Sequence, residues 1–477
     1  MIFNSPVFVA FLVIVFALYW MPLLPNGRHK HLVLLVASYV FYGWWDWRYL
    51  GLIIFCSLVS FGSALRIESA SDARSRKAWL AAGILVPLAV LVVFKYFDFF
   101  AVSLAEALAR LGVESEPRTL GLLLPVGISF FTFQALSYTT DVFRGALKPT
   151  REPIAFLAFL AFFPQLVAGP IERAPQFLPQ ILAKRSFSYE NAVIGCRLIL
   201  IGAFKKMVVA DRMGPLADAV FDHPMLFGGL FNVLGALCFA VQIYCDFSGY
   251  SDIAQGTAKL FNLDLMRNFN RPYLAASLRE FWGRWHISLS TWFRDYVYIP
   301  LGGNQGTAWH VARNLLITFV LSGLWHGANW TFVAWGALHG AFLVVERLMR
   351  GGFERLPFML RWAITMLVVL VGWVFFRAAD IDAALLFLGR AVTFDRDMPF
   401  LLKRLLTYAE CSPFGLACTF AFAALLIAID AVTARPAFLA RFEQRTALRY
   451  VGYAGLALIV LFFGVFTDQR AFIYFQF

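Results

Sequence analysis

The 477 residues are 60% hydrophobic and 17% aromatic but only 15% charged, and the mean hydropathy of +0.70 excludes an ordinary water-soluble domain and puts the chain in a bilayer. The net charge of +12, from 41 Lys and Arg against 29 Asp and Glu, would suggest nucleic acid in a soluble protein. Here the basic residues gather in short loops such as 435–449, as the positive-inside rule requires, so membrane lipid is the expected partner and nucleic acid is not.

Apolar runs of spanning length recur at 6–25, 77–97, 152–171, 191–210, 226–247, 361–376, 414–433 and 450–466. They are too long and too uniformly apolar for alternating barrel strands, so the fold class is an all-α polytopic membrane protein. The ~20-residue span rule gives roughly 11 to 13 membrane helices, with re-entrant and interfacial helices besides. No long linker or repeat divides the chain, and 1–477 reads as one membrane-embedded domain. Its texture changes along the way: regular helices over 1–113, a polar-interrupted core over 114–350, and further helices over 351–477.

Taken in order, the first run has no basic residue before it and no small-residue cleavage site after it, so it is expected to stay attached. Arg28, His29 and Lys30 follow it, and Arg66, Arg74, Arg76 and Lys77 lie two apolar segments later. Both loops are cytoplasmic if the N-terminus is periplasmic, which sets Asp46 in the turn Trp44-Trp45-Asp46-Trp47 at the outer interface. Leu124 to Phe130 and Pro164 to Ile171 place Pro and Gly inside apolar runs, a pattern suited to broken or re-entrant helices around a cavity. Asp246 and Asp252 end a long apolar stretch; six residues set them roughly 240° apart on a helix, so they are no paired acid and base. Structural ion pairs with Arg271 or Arg284 are the expected explanation.

The stretch 267–304 mixes aromatic residues with Arg267, Arg271, Arg279, Glu280, Arg284, Arg294 and Asp295 and cannot span. It reads as short helices lining a cytoplasmic funnel, or as a solvated interfacial loop. Within it Arg279, Arg284, Trp285, His286 and Ser288 are candidates for contact with a donor substrate.

The strongest signal is Leu321-Ser322-Gly323-Leu324-Trp325-His326-Gly327-Ala328-Asn329-Trp330, inside a window from 314 to 345 that has no Asp, Glu, Lys or Arg. An ionisable group in such a window is costly and usually faces a cavity. Imidazole, with an ordinary pKa of about 6.5, can take a proton from a hydroxyl or thiol while an acyl group moves, and low dielectric favours its neutral, base-competent form. His326 is therefore the candidate catalytic base, with Trp325 and Asn329 beside it. His286 has two open readings: it orients the donor or relays a proton, or it makes a structural hydrogen bond. His339 lies 13 residues beyond His326; at about 100° per residue it falls on another face of a continuous helix and is read as packing. The six cysteines and seven histidines show no metal-ligand spacing, so no metal is expected. Nucleotide-binding and serine-hydrolase signatures are absent too. A buried histidine among broken helices fits an acyltransferase or a solute transporter.

The motifs at 35–42, 124–130, 168–170, 246–252, 268–270, 281–298 and 323–329, in that order, closely resemble those of the membrane-bound O-acyltransferase family, in its bacterial alginate O-acetylation branch. The resemblance runs from the N-terminus to about Arg350; beyond that it is mainly hydropathy. It implies a funnel-shaped helical enzyme of the bacterial inner membrane whose essential histidine matches His326 and whose other histidine motif matches His286. An acyl group, acetyl first, would come from a cytoplasmic thioester such as acetyl-CoA, with no bound cofactor. It would leave on an extracytoplasmic polysaccharide such as alginate, with a periplasmic O-acetyltransferase partner completing delivery. The family also contains D-alanyl exporters fed by an acyl carrier protein, so that donor stays open.

Overall fold

The computed structural model describes residues 1, 3–21, 27–167, 169–393, 397–433, 435, 442, 444–466 and 472–473, and every regular element among them is helical. These residues form two compact units.

The first unit, Met1–Cys196 with Ala254–Met266, carries α1 (Pro6–Trp20), α2 (Arg28–Asp46), α3 (Leu50–Ser69), α4 (Ala73–Leu91), α5 (Phe97–Arg110), α6 (Ile128–Phe143), α7 (Pro153–Ala161), α8 (Phe163–Leu166), α9 (Ala174–Leu182) and the start of α10 (Tyr189–Ala203). Ser5 Oγ accepts the Phe8 amide at 3.2 Å and Asp72 Oδ1 the Ser75 amide at 2.8 Å, capping first turns whose N–H groups have no intrahelical partner. Packed against α3 and α4, α6 is buried on almost every side. Gly127 opens it at φ +77°, and a Cβ there would collide with the Leu166 carbonyl, so the break in the 124–130 motif is one that only glycine makes.

The run at 152–171 is not one span. Its helix stops at Ala161, Phe162 turns out of helical geometry (ψ 111°), and a four-residue helix follows. Pro164 has no N–H to give an ongoing ladder, and the Phe163 amide instead donates to Ser38 Oγ at 3.1 Å. Of the expected motif at 168–170, Ala168 lies outside the described residues.

The second unit, Arg197–Ile253 with Arg267–Phe477, takes in the end of α10 and a widened turn at Phe204–Ala210. After these come α11 (Asp211–Phe221), α12 (Gly229–Leu260) as far as Ile253, α13 (Leu278–Arg284), α14 (Ile287–Phe293), α15 (Ala308–His326) and α16 (Trp330–Leu348). It ends with α17 (Arg350–Phe353), α18 (Phe358–Arg377), α19 (Ile381–Ala391), α20 (Met398–Tyr408), α21 (Pro413–Thr433) and α22 (Thr446–Phe463). A three-residue link turns α15 back on α16. Small residues let the two backbones meet: a Cβ on Gly323 would strike the Phe332 carbonyl, and one on Gly336 the Phe319 carbonyl. On its other side α16 packs on α18, where Gly372 makes room for the His339 ring.

Six segments of the described residues are long and apolar enough to cross a membrane: Arg28–Ser69, Ala73–Arg110, Gly229–Leu260, Phe358–Arg377, Pro413–Val432 and Thr446–Phe463. The first two each hold two helices. With these six segments, the shorter apolar α1 and further helices, the described residues form an all-helical polytopic membrane protein.

Candidate functional site

The site forms where α13, α14 and the α15–α16 turn meet inside the second unit. Ser277 starts α13 by accepting the Glu280 amide at 3.1 Å, while Glu280 accepts the amide of Ala276, one residue before the cap, at 2.8 Å, a variant of the S-x-x-E capping box. Glu346, from the end of α16, accepts the Leu278 amide at 2.6 Å. After α13 the chain turns sharply at His286, whose φ of +41° lies in the left-handed region. Backbone bonds hold that turn: Ile287 N–H donates to Asn268 O and Asn270 N–H to Arg284 O, both at 2.9 Å.

Asn268 also organises the side chains. Its Oδ1 accepts the Ser288 hydroxyl at 2.6 Å and the Ser288 amide at 3.3 Å. His286 Nδ1 lies 3.4 Å from the same oxygen, so Nδ1 is the donor and Nε2 the basic nitrogen of that tautomer. Burial pushes the imidazole down to about 3, which keeps the ring neutral. Ser288 is thus held in the wall by Asn268. Trp285 is also buried in a wall, stacked on Phe281 at 5.6 Å and packed on Trp373 at 4.8 Å.

His326 is the last residue of α15 and is 4% exposed. Its ring lies among those of Trp325 at 5.0 Å, Trp335 at 5.1 Å and Phe376 at 5.2 Å. Trp325 stands between the two histidines, 5.9 Å from His286. Both histidines line one cavity of about 200 Å³, together with Trp282, Arg279, Arg294, Ser290, Thr318 and Ser322 among others. Asn329 lies in the turn beyond His326, where it accepts the Thr331 amide at 3.0 Å and donates to Ala379 O at 2.8 Å. That role is to cap α16.

A larger cavity of about 610 Å³ adjoins this one and shares Arg279, Tyr298, Leu315 and Leu343 with it. Arg347, Arg350 and Arg361 line it as well, with Glu346 and Glu354. Arg350 is engaged by Glu354 at 2.8 Å, and Arg279, Arg347 and Arg361 outnumber the remaining Glu346, which leaves the space with an excess of positive charge. Arg284 lines neither cavity. It pairs with Glu280 and reaches the Arg271 carbonyl at 3.5 Å.

The cations that meet the two aspartates are not Arg271 or Arg284 but lysines of the widened turn. Lys205 Nζ is 2.7 Å from Asp252; Lys206 Nζ is 2.7 Å from both Asp246 and Asp211. Widening the helix at 204–210 turns two successive lysines inward, which sequence spacing on a regular helix does not anticipate. Asp246 Oδ2 also accepts the Ile473 amide at 2.7 Å. The neighbouring Phe472 packs on Phe247 at 5.4 Å, and Phe247 stands edge-on to His286 at 4.6 Å.

The structure therefore brings together His326, His286, Trp325 and Arg279 and sets Trp285, Ser288, Asn329 and Arg284 in supporting positions. His339 does not follow the continuous-helix expectation. The chain leaves helical geometry at Gly327 (φ −159°), and His339 returns on α16 to stand 5.0 Å from Trp335, a ring that touches His326. Asn268 and Trp282 are the residues that sequence reasoning passed over as site residues. Asn268 had a signal in the Asn-Phe-Asn motif; Trp282 had none beyond an aromatic-rich stretch.

Comparison with known proteins gives the family. Residues 34–380 match the model of the membrane-bound O-acyltransferase family. The chain is 44% identical to a probable alginate O-acetylase of Azotobacter vinelandii, over 80% of this chain and 76% of that protein. It is 36% identical to a peptidoglycan O-acetyltransferase of Helicobacter pylori, over 81% and 78%, and 32% identical to a teichoic acid D-alanyltransferase of Streptococcus thermophilus, over 52% and 63%. A cavity holding two buried histidines inside a polytopic helical unit, together with these matches, makes the protein an O-acyltransferase that belongs to the membrane-bound O-acyltransferase family.

Proposed function

We propose that this protein takes an acyl group, acetyl first, from a cytoplasmic thioester and passes it across the bacterial inner membrane for O-acetylation of an extracytoplasmic polysaccharide such as alginate. The observation that carries the reading is the pair of adjoining cavities: an arginine-rich one, suited to an anionic carrier such as acetyl-CoA or a carrier-bound phosphopantetheine, and a second holding His326 and His286. Similarity to a probable alginate O-acetylase at 44% identity favours acetyl and alginate; the shorter match to a D-alanyltransferase leaves D-alanyl from a carrier protein as the second reading.

In this mechanism the acceptor hydroxyl gives its proton to His326, its oxygen bonds to the thioester carbonyl carbon, the carbon–sulfur bond breaks, and the leaving thiolate takes the proton back. His286 orients the donor or passes the proton. A periplasmic O-acetyltransferase partner carries the acyl group on to the glycan, and the N-terminus faces the periplasm. The test is release of free thiol from acetyl-CoA or an acyl carrier protein by purified protein in bilayer discs. His326→Ala is expected to lower the rate at least 10²-fold, in the range of a lost general base. Undiminished release by that variant would remove His326 from the chemistry.

A further inference from the structure

The cavity that holds the two histidines has a direction, and its charge changes along it. Leu315, Thr318, Ser322 and His326 of α15 all line it, a spacing of three or four residues that sets their side chains in a row on successive turns. Leu315 also lines the larger cavity, and His326 does not. The row therefore runs from an end shared by the two cavities to a histidine end about 16 Å away, at 1.5 Å per residue. From 279 to 286 the order repeats, since Arg279 is shared and His286 is not.

Charge is confined to the shared end. Arg279 lines both cavities, and Arg294 stands about one helical turn before Tyr298, another shared residue. These two are the charged side chains lining the histidine cavity among the described residues. Asp295 pairs with Arg294 at 2.7 Å, whereas Arg279 has no carboxylate partner among the described residues. The histidine end offers imidazoles and hydroxyls, with Ser290 and Ser322 beside the two rings in sequence.

A thioester donor held with its anionic carrier among the arginines of the larger cavity sends its acyl group in from the shared end. A neutral acyl group passes Arg279 and Arg294 without electrostatic cost. An aminoacyl group must bring an ammonium past both guanidiniums and come to rest, with its hydration reduced, among neutral side chains. The carboxylates that would attract it, Glu346 and Glu354, line the larger cavity instead. Like charge set against the wrong substrate gives selectivity without a closer fit to the right one.

We infer that Arg279 and Arg294 are specificity-determining residues that admit neutral acyl groups and turn away cationic ones, so that the donor is an acetyl-type rather than an aminoacyl thioester. This inference rests on the acyl-transfer reading above. Propionyl and glycyl thioesters test it, because they have nearly the same shape and differ by a methyl against an ammonium. Each is offered on CoA and on an acyl carrier protein to the protein in bilayer discs, and thiol release is followed. Wild type is expected to use propionyl about tenfold or more better than glycyl in kcat/KM, on whichever carrier it accepts. Effects on the carrier cancel in that ratio. Arg279→Gln combined with Arg294→Gln should narrow the gap about threefold or more. Raising salt from about 0.15 M to about 1 M should narrow it in wild type, as the Debye length falls from about 8 Å to about 3 Å; this arm stands even if the double variant misfolds. Equal use of the two donors by wild type would overturn the inference, as would a gap that neither salt nor the double substitution changes. Absence of thiol release from every donor in wild type would refute the acyl-transfer reading instead, so the two failures are separate outcomes.

Discussion

Asn268 shows how much of the site depends on a residue that does no chemistry. One oxygen receives the Ser288 hydroxyl, the Ser288 amide and the His286 ring, so Asn268→Ala strips three buried groups of one acceptor. Each unsatisfied group costs about 1–3 kcal/mol; the expected outcome is a lower unfolding temperature together with at least a tenfold loss of thiol release. A variant as stable and active as wild type would mean that the His286 turn is held by its backbone bonds alone. His326 was legible because an ionisable ring stands out in a window without charge, whereas His286 was legible only as a ring within the charged, aromatic stretch at 267–304. Asn268 was visible only as part of the Asn-Phe-Asn motif; its role was not, because that comes from a turn at His286 that no local propensity announces.

At the scale of elements, breaks and close approaches did more than propensity. Gly127, Gly323 and Gly336 each sit where a side chain would meet another segment's carbonyl oxygen, and the motifs around the first two were visible as glycines inside apolar runs. Their partners were not visible, since contact between α15 and α16 follows from the turn at Gly327–Asn329 rather than from either helix. The same turn undid the continuous-helix placement of His339. Gly336→Leu forces the hairpin apart and should destabilise by about 1–3 kcal/mol or more, the range for overpacking. Gly389→Ala, in a helix where nothing stands within 4 Å, should be neutral or stabilise by up to about 1 kcal/mol. Thermal unfolding of both variants checks the contrast; equal effects would mean that the close packing of α15 on α16 contributes little.

For the whole molecule, composition and run length were enough to give an all-helical membrane protein, and family membership sets aside the transporter alternative. They were not enough to identify which cations serve which site. Among the basic residues of the funnel stretch, Arg279 faces both cavities whereas Arg284 is occupied by Glu280. Arg279→Glu and Arg347→Glu should therefore raise the donor KM about tenfold or more with stability unchanged. Arg284→Glu should act mainly on stability, by setting two carboxylates against each other at i and i+4. Donor titrations run beside unfolding curves separate the two effects; a KM change for Arg284→Glu equal to that for Arg279→Glu would contradict the division.

The bond from the Ile473 amide to Asp246 has a temporal meaning. Its partners are 227 residues apart, so during synthesis Asp246 is sheltered by Lys206 for as long as most of the second unit takes to emerge. Such a distant closure is entropically slow and comes late in assembly. A chain cut short before that amide would leave Asp246 Oδ2 without its backbone donor inside the second unit, at a cost of about 1–3 kcal/mol.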